Sequence, residues 1–218
     1  LNVSNNLSPG VVTFFFVINL IGVASIIFLM VFYFVGKKNA FQERSEALLL
    51  NILPKEIAAI LRNEERIIAD HYEGASVLFA DVVDFTNMSE RMTPTELVRL
   101  LDEVFSQFDL MVEKHGLEKI KTIGDCYMVA SGIPRPRADH ALVLTRLALE
   151  MRDYLSSHEI QGRRLEMRIG VNSGPVVAGV IGRKKFAYDL WGDAVNTASR
   201  MESHGLGGFV QITRATYE

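Results

Sequence analysis

Cysteine is almost missing from these 218 residues: Cys126 stands alone. A single thiol excludes an internal disulfide and fits a reducing compartment. Its ordinary role is that of a small buried residue on a strand. A basic surplus is missing too. Lys and Arg number 23 against 26 Asp and Glu, a net charge of −3. Nucleic-acid binders show the opposite balance, so no nucleic-acid partner is expected. No repeat or low-complexity tract occurs.

Charge is absent from Val11 to Val35, a run of 25 residues. As a helix rising 1.5 Å per residue, this run spans about 37 Å, enough to cross a bilayer with some tilt. A signal peptide would carry basic residues before its core. Here none precedes it, and Lys37 and Lys38 follow. The positive-inside rule then puts everything after Gly36 in the cytoplasm, with the span in the inner or plasma membrane. The expected organisation is an extracytoplasmic flank (1–10), a transmembrane helix (11–35), a helical linker (36–73) and a globular domain (74–218). Asn19 is the one strongly polar residue of the span. It either bonds a neighbouring helix or is simply tolerated. The chain begins at Leu1 rather than Met, as a piece of a longer protein does.

Lys37 to about Asn63 reads as helix, with Phe41, Leu48 and Ile52 on one stripe. Arg44 and Asn51 fall where a heptad wants apolar residues. The segment is a weakened coiled coil or an amphipathic connector. Pro54 breaks it at Leu53 and opens a short helix to Leu61. Ala75 to Ala80 reads as a buried strand. Thr93-Pro94-Thr95-Glu96 is a capping box, opening a helix that Gly116 ends. Glu118–Ile123 and Cys126–Ser131 form a hairpin around Gly124-Asp125. Asp139 to about Ser157 is a second helix. Leu165–Asn172 and Val176–Val180 read as two strands with Gly174 between them. Phe186–Trp191, a helix from Asp193, Phe209–Ile212 and a helix start near Thr213 finish the chain. The class is α+β, and strand, helix, strand, strand, helix, strand is the ferredoxin-like βαββαβ unit.

Three short stretches carry chemistry: FADVVDFT (79–86), KIKTIGDCYM (119–128) and YDLWGDAVNTASRM (188–201). Asp81 ends an apolar run and Asp125 sits in a hairpin turn. Two carboxylates meeting there repel unless cations lie between them. Hard oxygen ligands suit Mg²⁺ or Mn²⁺. By spacing alone, a capping Asp81 and an ordinary turn Asp125 are the favoured reading, by about two to one. Lys121 is either a solvated strand lysine or a ligand contact. Asn196 and Arg200, at i and i+4, share one helix face. They are surface residues or a phosphate-handling pair. Asp84 reads as a solvated turn or N-cap residue. His115, His140, His158 and His204 lie outside these stretches and read as surface.

The three stretches, in this order, resemble the class III nucleotidyl cyclases, in particular bacterial membrane-anchored adenylate cyclases like the mycobacterial ones. The similarity runs from about Phe41 to the C-terminus. It implies a palm-like core and conversion of ATP to 3′,5′-cyclic AMP and pyrophosphate. It implies two Mg²⁺ or Mn²⁺ ions per active site, held by Asp81, Asp125 and the Val82 carbonyl. Backbone N–H groups around Phe85 and Thr86 are implied to receive phosphate oxygens. Lys121 and Asp189 are implied to read adenine, Asn196 to orient the ribose and Arg200 to stabilise the reacting phosphorus. A homodimer is implied, with each site shared between subunits. Guanylate cyclases of the family carry Glu and Cys at the Lys121 and Asp189 places. The family also continues past the place of Glu218 with a Lys-Gly-Lys-Gly strand pair that supplies a triphosphate lysine. A diguanylate cyclase would need a Gly-Gly-Glu/Asp-Glu-Phe turn, which is missing. The alternative of another class is an inactive cyclase-like dimerisation or receptor module. Such modules lose a metal Asp or the Asn/Arg pair, and all six positions are present here.

Overall fold

The computed structural model describes residues 8–50, 53–63, 67–182 and 185–218. The chain divides into two units, Leu1–Ile52 and Leu53–Glu218.

The first unit is one helix, α1 (Pro9–Leu50). The apolar span and the first part of the linker, expected as separate segments, run on without a break to Leu50. No proline or cap separates Val35 from Lys37, and Gly36 alone does not stop a helix. Its stretch Pro9–Gln42 is long and apolar enough to cross a membrane. The Asn19 amide donates to the Phe15 carbonyl at 3.2 Å, so this donor is satisfied within its own helix. Arg44 is exposed. Asn51, the other polar interruption of the expected seam, lies outside the described residues.

The second unit starts before the boundary expected at Gly74. Leu53 is buried, and α2 (Lys55–Asn63) packs its Ile57 and Ala58 inward. The strand expected from Ala75 is longer: β1 spans Ala69–Val82. Then follow α3 (Phe85–Ser89), α4 (Pro94–His115), β2 (Glu118–Ile123), β3 (Cys126–Ser131) and α5 (His140–Ser157). The chain continues as β4 (Met167–Ile181), β5 (Ala187–Trp191), α6 (Asp193–Ser203), β6 (Val210–Ile212) and α7 (Arg214–Tyr217).

The sheet order is β2-β3-β1-β4-β5, with β6 parallel to β4. The four strands β2-β3-β1-β4 are the ferredoxin-like arrangement the element order predicts. The two strands expected around Gly174 are one strand, β4. It pairs with β1 on both sides of Gly174, and a register shift between Tyr72 and Ala75 of β1 absorbs the irregularity.

Helix α4 forms as its sequence dictates. The Thr93 N–H donates to Glu96 Oε2 at 2.8 Å, and the Glu96 N–H donates to Thr93 Oγ1 at 3.3 Å. Leu100, Val104, Phe108 and Val112 then repeat every four residues and are buried. With Leu144, Leu147 and Met151 of α5 they cover Leu78, Ala80, Val129, Ile169 and Val171 of the sheet. Each such aliphatic side chain contributes about 2 kcal/mol on burial. On α5, Leu142 is exposed and Val143 is buried. Helix α6 lies on the opposite face, over β4.

Candidate active site

The end of β1 meets the β2–β3 turn because β3 pairs antiparallel with β1. This pairing brings Asp81 beside Asp125. Burial pushes the Asp81 carboxyl up to about 7, helped by the hydrogen bond that its protonated form donates to Asp125 and by the Asp125 charge. The Glu202 charge adds to the rise, and Arg168 opposes it. Arg168 stands directly across from Asp81 in the β1–β4 register. Its Nη2 lies 3.6 Å from Asp81 Oδ1, and its Nε lies 3.1 Å from Glu202 Oε1.

Neither Arg168 nor Glu202 was among the residues expected in the site. A signal for Glu202 exists: Ala194, Ala198 and Glu202 fall at i, i+4 and i+8, and this buried stripe of α6 carries a charge.

Val82 follows Asp81 and is buried. Asp84 has a left-handed backbone (φ 57°), and its carboxylate accepts from the Asn87 amide. Phe85 and Thr86 form the first turn of α3, where N–H groups have no intrahelical acceptor.

Lys121 and Asp189 are joined at 2.5 Å. Their strands stand at the two ends of the sheet order. Strand β5 pairs with Val177–Ile181 of β4, past the irregular stretch of β1. From there Asp189 reaches β2. A register shift between Lys119 and Lys121 leaves Ile120 without a partner on β3. Lys119 therefore turns to Asp109 of α4 at 2.6 Å, while Lys121 turns to β5. Asp189 is held further by the Leu190 N–H, which donates to its Oδ1 at 2.9 Å.

Asn196 and Arg200 lie on the outer side of α6, both exposed, while Ala194, Val195 and Ala198 are buried beneath them. Among the described residues the Arg200 guanidinium has no ion-pair partner. The structure thus forms two groups, Asp81 with Asp125 and Lys121 with Asp189, with the Asn196/Arg200 face exposed beside them. Among the described residues no ion pair joins the two groups.

Two carboxylates in contact, one with its pKa driven up, form a donor set that a hard cation satisfies. Among the described residues no third Asp, Glu, His or Cys joins them to complete a cation site. Cys126 is partly buried, and burial with the nearby Asp81, Glu202 and Asp125 carboxylates pushes its thiol up to about 12. It is not a nucleophile at neutral pH. His115 and His140 are not free surface residues. The first bonds Glu150 at 2.6 Å and the second bonds Ser76 at 2.8 Å.

Residues 67–218 match the adenylate and guanylate cyclase catalytic domain. The chain belongs to this family, the class III nucleotidyl cyclases. An adenylate cyclase of Mycobacterium tuberculosis is 52% identical over 181 residues, which cover 82% of this chain and 41% of that protein. The chain therefore spans less than half of that relative. The human guanylate cyclase soluble subunit beta-2 is 40% identical over 81% of the chain and 29% of that protein.

Among solved structures, the catalytic core of a rhodopsin-guanylyl cyclase with converted specificity, in complex with ATPαS, is 38% identical with a TM-score of 0.66. It covers 68% of this chain and 82% of that one. The adenylyl cyclase CyaB from P. aeruginosa is 29% identical with a TM-score of 0.64, over 68% and 80% of the two chains.

Proposed function

We propose that the chain is the catalytic part of a membrane-anchored adenylate cyclase, which converts ATP to 3′,5′-cyclic AMP and pyrophosphate. The Lys121–Asp189 pair carries this reading. Adenine presents an acceptor at N1 and a donor at its 6-amino group, so a Lys donor beside an Asp acceptor matches it. Guanine presents the reverse edge and leaves both groups unpaired, a costly mismatch. Adenine replaces the Lys121–Asp189 ion pair with two hydrogen bonds.

Asp81, Asp125 and the Val82 carbonyl hold two Mg²⁺ or Mn²⁺ ions in this reading. When bound, the ions supply Lewis acidity to the ribose 3′-hydroxyl and the α-phosphate and neutralise the departing pyrophosphate. Asn196 orients the ribose. Arg200, without an ion-pair partner among the described residues, stabilises charge on the five-coordinate phosphorus. Arg168 brings a second cation to the phosphate side of Asp81, and Glu202 holds its guanidinium there. First-turn N–H groups around Phe85 and Thr86 receive phosphate oxygens.

A homodimer completes each site: the carboxylates of one subunit face the base-reading and α6 side chains of the other. Exposed Ile123, Ile181, Phe186 and Trp191 on and beside β2, β4 and β5 support such an interface. The span 11–35 crosses the cell membrane in this reading, with the catalytic unit cytoplasmic.

The test is a base swap. In Lys121→Glu with Asp189→Cys, the ATP/GTP preference in kcat/KM falls by roughly 10²-fold or more, in a slower enzyme. An unchanged preference means that these residues do not read the base.

Divalent-ion binding has its own test. The folded-state pKa of Asp81 lies above its ordinary value, so its contribution to stability is fully present below pH ~4. That contribution is lost as pH rises through about 7. In chelator, the melting temperature therefore declines over this window. Mn²⁺ restores it at pH 8 and does so less at pH 5.5, where protons compete. Equal Mn²⁺ stabilisation at both pH values would remove Asp81 from the cation site.

A further inference from the structure

The helix that carries Asn196 and Arg200 rests on an unusual seat. Gly170, Asn172 and Gly174 are alternate residues of β4 and share one face. A Cβ on Gly170 would lie 2.1 Å from Glu202 N and 2.6 Å from the Met201 carbonyl carbon. A Cβ on Gly174 would lie 3.2 Å from Ala194 Cβ. Gly170 lets the backbone of α6 lie directly on the strand, and Gly174 leaves room for the Ala194 methyl. They also present no side chain to stop it sliding. Nor does α6 have a side-chain cap of its own, because Gly192 stands at its N-cap.

Between the glycines, buried Asn172 donates its amide to the Ala194 carbonyl at 2.9 Å. Its Oδ1 accepts from the Thr213 hydroxyl at 2.7 Å. A carbonyl only accepts, so the NH₂ group must face Ala194. The other end of this amide is anchored through a buried chain. Thr213 meets Thr216 at 3.1 Å, and Ser173 donates to Thr216 at 3.1 Å. Ser173 meets Ser76 at 2.6 Å, and Ser76 meets His140 Nδ1 at 2.8 Å. Side chains of α7, β4, β1 and α5 thus hold one amide in one orientation, and that amide holds α6.

We propose that Asn172 is a positioning residue: it fixes α6 along β4 and thereby places Asn196 and Arg200 against the substrate. This rests on the roles given to those two side chains above. A slide by one helical residue moves them by about 1.5 Å, and misplacement by about 1 Å costs on the order of 10²-fold in rate. Lys121 and Asp189 are not on α6, so base reading is unaffected.

Hydrogen exchange on the full chain in detergent micelles tests this without substrate. Asn172→Ala speeds exchange of the α6 amides by about tenfold or more, while amides of β3 and α4 keep parental rates. Thr213→Val gives the same pattern more weakly, and it decides by the same criteria where Asn172→Ala fails to fold. Unchanged α6 exchange overturns the proposal. A uniform rise through the catalytic unit also overturns it, since that marks a general core residue.

Kinetics form the second arm. In Asn172→Ala, kcat falls about 10- to 100-fold, while KM for ATP and the ATP/GTP ratio stay within about threefold. In an Asn196→Ala/Arg200→Ala background the same substitution costs less than about threefold, because the groups to be placed are gone. Losses that multiply in full overturn the proposal. A parental chain that makes no cyclic nucleotide overturns the proposed function instead and leaves the exchange result to decide on Asn172.

Discussion

Asp81→Ala and Asp125→Ala each lower cyclic AMP formation by about a thousandfold or more, as loss of a metal clamp worth several kcal/mol does. The fold survives the first substitution. Burial and the neighbouring Asp125 disfavour the Asp81 anion, so its removal takes a repulsive charge out of the cation-free unit. At pH 8 in chelator, the Asp81→Ala chain melts at or above the parental temperature. Inactivity with retained stability separates a chemical role from a structural one. Near-parental turnover in either variant would sink the metal assignment. A cooperative loss of melting temperature would show that activity is lost through the fold.

Mixing two dead chains restores activity if the site is shared. Asp81→Ala and Arg200→Ala are each nearly inactive as homodimers. In a random mixture half of the dimers are heterodimers, each with one doubly damaged site and one intact site. Activity then recovers to about a quarter of the parental value. No recovery, in a mixture shown by crosslinking to contain heterodimers, places all the groups of each site within one subunit. This result would leave the two groups of the structure, Asp81 with Asp125 and Lys121 with Asp189, without the partner copy that brings them to one nucleotide.

Local chemistry was legible wherever it depends on neighbours in the chain. Thr93, Pro94 and Glu96 form the capping box their order announces. Gly124-Asp125 turns the hairpin, and the apolar run ending at Ala80 is a central strand. Asn196 and Arg200 share the outer face of α6 as their spacing requires. Errors arose where a local break in pattern has a distant remedy. Gly174 and Pro175 look like a turn, yet β4 continues because β1 pairs with it on both sides and bends to match. Arg168 reads as one charge among apolar residues, and its partners on β1 and α6 are far away in sequence. His140 reads as a surface residue at a helix start, but Ser76 on β1 takes its Nδ1 into the interior.

By itself the sequence determined most of the order of the elements, the apolar span, and the two carboxylates at the strand end and turn. These follow from period, caps and short motifs, which are properties of adjacent residues. Tertiary structure decided which of these groups meet. Lys119 and Lys121 are two apart and by alternation would share a face of the sheet. One residue without a partner, Ile120, reverses this: Lys119 goes to Asp109 on one side and Lys121 to Asp189 on the other. Nothing in the sequence of β2 specifies that shift. It is set by the register with β3, and register is a relation between strands: the burial of β3 against β1 fixes it, and a slip of one residue would carry every side chain to the other face.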